Sequence, residues 1–105
     1  MKHVIDSDGT ENWYDDYGKY HKEDGPAIIY VNGDISWYKH GEYHRLDGPA
    51  IIWHVHGTNY NYYAFLKYKL LNPNTNLQQM QGWFIEGINY SEEEFARIVK
   101  MKELL

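Results

Sequence analysis

The chain contains no cysteine, which removes disulfides, thiolate metal sites and a thiol nucleophile from consideration. Nowhere does it approach the roughly 20 consecutive apolar residues that a membrane helix requires, and its opening MKHVIDSDGT has no apolar core of signal-peptide length. Basic residues are scarce in the first half: residues 1–57 carry five Lys/Arg against ten Asp/Glu, whereas residues 58–105 carry five of each, so the whole net charge of −5 falls on the first half. An acidic face repels phosphate backbones and anionic lipid, so neither nonspecific nucleic-acid binding nor a membrane role is expected. A glycine-rich phosphate loop is also missing, because each DGP places proline where a cradle needs another N–H. The acidic residues Asp6, Asp8, Glu11, Asp15 and Asp16 lack the D-x-D-x-D-G order of a calcium loop. They read as a solvated edge, with mimicry of nucleic-acid charge as the functional alternative.

Aromatic rings are abundant. Eleven Tyr and four Trp in 105 residues favour β-structure, whose faces suit side chains that pack at one end and hydrogen-bond at the other. The phrase HKEDGPAIIY from His21 returns as HRLDGPAIIW from His44, and Gly18 and Tyr20 recur as Gly41 and Tyr43, all at a spacing of 23. Upstream, Gly9 and Trp13 are echoed by Gly33 and Trp37 at a spacing of 24. The first copy therefore carries one extra residue between Trp and Gly, which predicts a bulge or a longer hairpin turn. A period in the low twenties suits two short strands and two turns better than a helix pair.

The expected fold is mainly β: an antiparallel β-hairpin repeat sheet with a C-terminal amphipathic α-helix as cap. One domain covers residues 1–105, with repeat units at roughly 9–32 and 33–57, an irregular or helical insertion at 58–80, and a final hairpin and helix at 82–105. In the final unit, WFIEGINY from Trp83 resembles WYKHGEYH from Trp37. The corner that should follow is replaced by SEEEFARIVKMKELL, in which Ser91 and Glu94 form a capping box and Tyr90 and Phe95 occupy the staple positions. Phe95, Ile98, Val99 and Leu105 make its apolar stripe, with Met101 at the edge. This helix should pack over the last strands and close the core.

The pattern G-x-x-H-R/K-x-D-G-P-A, followed by an apolar strand, a Gly turn and W-[YF], resembles the variant MORN-type repeats of small tailed-phage proteins. The resemblance covers about 70 of the 105 residues. It implies an antiparallel repeat sheet, a viral origin and a place in the host cytoplasm. It also implies a noncatalytic binding role, in which a phage accessory protein captures a host component, either a defence protein or a nucleotide-type signalling molecule, and so antagonises defence. No cofactor is expected. A structural protein that homo-oligomerises through its β edge, using residues 58–80, is one alternative; a small hydrolase is the other.

The hydrolase reading rests on His21 with Asp24 and His44 with Asp47, the residue types of a His–carboxylate pair. No catalytic residue is assigned, because a set written twice is more simply a structural corner. In that corner Asp caps the turn, Gly25 or Gly48 supplies positive φ, Pro26 or Pro49 starts the strand and His packs on the neighbouring unit. Ser7, Ser36 and Ser91 lie in no nucleophile-elbow motif. His54 and His56 alternate as metal ligands on one strand face do, with His40 or His44 as a third, but without cysteine or an organised carboxylate set no metal site is assigned. Ligand binding is assigned to one aromatic face: Trp37, Tyr38, Lys39, Tyr43, His44, Arg45, Trp53 and His54. Stacked units would line up a ladder of rings there, able to hold a flat ring or act as a protein hot spot. Function is expected where the copies differ, at Lys22 against Arg45, Glu23 against Leu46 and Tyr30 against Trp53.

Overall fold

A computed structural model describes residues 1–54 and 79–104. The strands are β1 (Lys2–Ile5), β2 (Glu11–Tyr14), β3 (Ile28–Ile29), β4 (Ile35–Ser36), β5 (Tyr38–Lys39), β6 (Glu42–Tyr43), β7 (Ile51–His54), β8 (Gln79–Ile85) and β9 (Ile88–Tyr90), followed by helix α1 (Glu92–Glu103). Seven strands form one antiparallel sheet in the order β1-β2-β3-β4-β7-β8-β9, and β5 and β6 make a small hairpin of their own. The mainly β repeat sheet with a C-terminal helix is thus the observed architecture. One boundary needs correction: β8 begins at Gln79, inside the segment assigned to the insertion, because Trp53 and His54 pair with Met80 and Gln79. The rest of that insertion, residues 58–78, lies outside the described residues.

Register explains the burial. Asn12, Ile28, Ser36, Ile51 and Gly82 stand opposite one another across five strands, and the first four are all at least nine-tenths buried. The neighbouring row, Glu11–Ile29–Ile35–Ile52–Gln81, alternates to the other face. Gly82 ends the buried row because the space for a side chain is taken. A Cβ there would lie 2.9 Å from the Phe84 ring and 3.4 Å from Ile51 Cβ. Gly82→Ala is expected to destabilise by about 1–3 kcal/mol through overpacking, and denaturant unfolding of the variant checks it.

The one-residue slip between the copies has a concrete form. After Asp15 the chain turns through three residues, 16–18, closed by Gly18 N–H to Asp15 C=O at 3.1 Å and Asp15 N–H to Lys19 C=O at 2.8 Å. The second copy turns through His40 and Gly41 alone, with φ of 47° and 87°, between paired Lys39 and Glu42. Two consecutive left-handed residues make a type I′ turn, whose twist matches that of the flanking strands. Glu86 and Gly87 repeat it at 49° and 83°. The expected longer hairpin turn is therefore three residues in the first copy against two in the others.

Neighbouring hairpins are also tied at the opposite edge. Thr10 and Asp34 are equivalent at the spacing of 24, and each side chain accepts a backbone N–H from the far end of its own unit, where the next turn or strand of the sheet lies alongside. Val31 N–H reaches Thr10 Oγ1 at 3.3 Å, and His54 N–H reaches Asp34 Oδ1 at 2.8 Å.

Helix α1 starts as expected. Ser91 accepts from Glu94 N–H at 3.1 Å while Glu94 Oε1 accepts from Ser91 N–H at 3.3 Å. The helix contacts β8 and β9, and its buried residue is Phe95, whose ring centroid lies 5.0 Å from that of Trp83. Met101 is exposed, and Leu105 lies outside the described residues. No helix among the described residues is long and apolar enough to cross a membrane.

Candidate functional site

Residues 20–27 and 43–50 form the two corners, and each holds the tight turn of the unit after it. His21 Nδ1 accepts His40 N–H at 3.0 Å, and Tyr20 C=O accepts Gly41 N–H at 2.8 Å. One unit later, His44 Nδ1 accepts Glu86 N–H at 3.0 Å, and Tyr43 C=O accepts Gly87 N–H at 2.9 Å. A type I′ turn leaves these two N–H groups without partners of its own, and the Tyr-His pair of the preceding copy supplies them. The repeated histidine therefore acts as an inter-unit clamp. An accepting Nδ1 places the proton on Nε2, which in His21 faces Glu23 Oε1 at 2.7 Å.

Two details of the predicted corner are corrected. Gly25 and Gly48 are not among the glycines with positive φ; they face the cationic side chain three residues upstream. A Cβ on Gly48 would stand 2.8 Å from Arg45 Cζ, and one on Gly25 would stand 3.6 Å from Lys22 Nζ. The corner carboxylate does not cap the turn either. Asp47 Oδ1 accepts from Arg45 Nε at 2.8 Å, which holds the Asp47 carboxyl below its ordinary value. No bond from Asp24 to the turn backbone occurs among the described residues. Pro26 and Pro49 do precede strand pairing, since Ala27 and Ala50 are fully buried and donate to Ser36 C=O and Gly82 C=O, each at 2.8 Å.

The cations have a shared task. Lys22 Nζ lies 4.0 Å from the Trp13 ring centroid, and Arg45 Cζ lies 3.8 Å from that of Trp37. Lys22 and Arg45 thus differ in type while covering equivalent tryptophans. In the last unit Phe95 covers Trp83, so the helix supplies what the corner supplied before. The rings of Tyr14, Tyr20, Tyr38, Tyr43 and Phe84 follow one another at centroid spacings of 5.0, 5.1, 4.5 and 4.9 Å. Of the aromatic residues assigned to the ligand face, Tyr38 and Tyr43 stand in this run, whose other members are Tyr14, Tyr20 and Phe84 in place of Trp37 and Trp53. Burial, followed by the hydrogen bond with Tyr43, pushes the Tyr38 phenol up.

A cleft of about 580 Å³ lies between the two corners. It brings together Trp37, Tyr38, Lys39, His44 and Arg45 of the predicted ligand set, with Glu23 and Asp24 from the other corner. Tyr43 belongs to the ladder, while Trp53 and His54 lie on β7 opposite Met80 and Gln79, away from the cleft lining. Trp37 is covered by Arg45, whose Nη1 also donates to Pro49 C=O at 3.1 Å. No family model, curated protein or solved structure matches the chain. Site chemistry is therefore read from the residues themselves.

Beside the cleft, the sequence pairing of His21 with Asp24 gives way to a different network. Asp15 Oδ2 meets His40 Nδ1 at 2.8 Å, and the His40 ring stacks on His21 with centroids 4.1 Å apart. Asp15 Oδ1 accepts the Tyr17 and Lys19 N–H groups at 2.9 and 3.0 Å. The His40 hydrogen bond, then the Lys19 N–H, holds its carboxyl down to about 2. The signal that could have revealed this network is His40 standing in the first position of the second tight turn. Ser36 is buried in the sheet and Ser91 caps the helix. Among the described residues no group of three His, Asp or Glu side chains could hold a metal ion, and His56 lies outside them.

His44 gives the site a pH dependence. Burial, then Lys39, pushes its imidazole below the ordinary 6.5, with Glu86 and Glu42 opposing and Lys102 adding to the fall. A depressed histidine favours its neutral form in the fold, so its contribution is complete above about 6.5 and is lost as pH falls below that value. Stability should therefore drop more steeply from pH 7.5 to 5.5 in the wild type than in His44→Asn, whose Oδ1 can accept the Glu86 N–H without titrating. Melting curves across that range check this; a gap between the two proteins that does not change with pH contradicts it.

Proposed function

We propose that the chain is a noncatalytic binding module that captures a protein partner along its corner edge. The observation that carries this reading is the commitment of the chemically suggestive groups. His21 and His44 hold turns through Nδ1, Lys22 and Arg45 cover tryptophans, and the tyrosines face one another. What remains open is a cleft with acidic Asp24 from the first corner and basic Lys39 from strand β5 beside the second, a polarity suited to a polypeptide. The likeness to phage repeat proteins makes a host component, and a defence protein first, the target to test. A nucleotide-type ligand is the second reading, favoured by the meeting of Trp37, Lys39 and Arg45 in one concavity.

The test is affinity purification after crosslinking in a bacterial host. A protein partner should be retained in stoichiometric amount and lost in Asp24→Lys/Lys39→Glu at an unchanged melting temperature. Release of a nucleotide from the purified protein, with no protein retained, selects the second reading. Concentration-dependent self-association through the β1 or β9 edge, with neither ligand present, returns the assembly alternative.

A further inference from the structure

We infer that a second groove, between the corner of residues 43–50 and helix α1, receives an apolar segment flanked by basic side chains. This rests on the reading of the chain as a protein binder and uses a groove that shares Leu46 and Asp47 with the inter-corner cleft but is otherwise lined by residues 48–49, Trp83 and the helix. The groove has a volume of about 730 Å³, and its apolar lining includes Leu46, Pro49, Trp83, Phe95, Ala96 and Val99. Leu46 is 42% exposed and stands where the first copy has Glu23. Glu23 serves its own corner by bonding His21, whereas Leu46 takes part in none of the clamps or ring covers of the repeat. An apolar residue placed there adds exposed hydrophobic surface beside the helix, as a binding groove requires.

Charge specifies the occupant. The groove carries carboxylates at Asp47, Glu92 and Glu103 against one ammonium, Lys100, and Asp47 already shares Arg45. Glu92 and Glu103 open and close α1, which places them about 16 Å apart along the helix axis at 1.5 Å per residue. The complementary partner carries an apolar anchor at its centre and a Lys or Arg toward each end, separated by about three helical turns.

The probe is a synthetic helix of roughly 15 residues with leucines on one face and lysines at both ends, compared with the same peptide bearing glutamates instead. Calorimetry should detect binding of the lysine peptide only, and methyl NMR should place the shifts at Leu46 and Val99. Leu46→Glu, which copies the first unit, should weaken binding at least about tenfold, and a melting curve confirms that it folds. Asp24→Lys/Lys39→Glu should bind the probe like wild type, so failure here is distinguishable from failure of the inter-corner cleft as a partner site. Equal binding of both peptides, undiminished affinity in Leu46→Glu, or no binding overturns the inference. So does sedimentation showing a dimer that Leu46→Glu abolishes, since a second copy would then be the occupant.

Discussion

Phe95→Ala is expected to cost about 3–5 kcal/mol, the range for deleting a buried aromatic ring. Phe95 is 5% exposed and is the buried residue of α1. Its ring packs on Trp83, which leaves the capping box as the main local support for a helix of 12 residues. A helix of that length is marginal on its own, so losing the anchor should release it from β8 and β9 and leave Trp83 uncovered. Far-UV circular dichroism should then lose the helical signal ahead of the β signal on heating. A loss below about 1 kcal/mol, the scale of an unremarkable substitution, would show that the helix does not close the repeat in the way described.

The second large effect concerns the repeated histidine. His21 is 4% exposed, accepts the His40 N–H, stacks on the His40 ring and meets Glu23. His21→Ala leaves a turn N–H without a partner and a gap beneath His40, at an expected cost of about 2–3 kcal/mol. That corresponds to a fall of roughly 10 °C or more in melting temperature for a domain near this size. His21→Asn should recover part of it, because Asn Oδ1 can occupy the position of the accepting Nδ1 while restoring neither the stack nor the Glu23 contact. A hydrolytic role makes the opposite prediction: Ala would remove activity and spare stability.

Much of the frame was legible in the residues because it is written in local terms. The 23- and 24-residue spacings gave the register of the units, and the slip between them is the difference between a three-residue turn after Asp15 and the His40-Gly41 turn. Ser91 and Glu94 announced the helix start within four positions. The interactions that join units were not legible, because they bridge distant residues: His21 reaches His40 across 19 positions and His44 reaches Glu86 across 42. For the same reason Gly25 and Gly48 were misread. Their role is to leave room for Lys22 and Arg45, and nothing in a DGP triplet distinguishes that from a need for positive φ. Of the ligand residues, Trp37 through Lys39, His44 and Arg45 converge because they flank one corner. Trp53 and His54 follow the same corner in sequence, but the strand that begins at Ile51 carries them away from it.

The places where the copies differ also sorted themselves physically. Lys22 and Arg45 do equivalent work over Trp13 and Trp37, so that difference is tolerated by the frame. Glu23 and Leu46 do not, and the divergence falls where the second corner faces a helix instead of a third corner.

The central claim is that the duplicated histidine holds the next hairpin through Nδ1. Nitrogen-15 NMR of uniformly labelled protein measures this directly. The account predicts scalar couplings across the hydrogen bonds from His40 N–H to His21 Nδ1 and from Glu86 N–H to His44 Nδ1, with neutral His44 carrying its proton on Nε2. A proton found on Nδ1 of either ring in the neutral tautomer, or the absence of both couplings in well-resolved spectra, would contradict it.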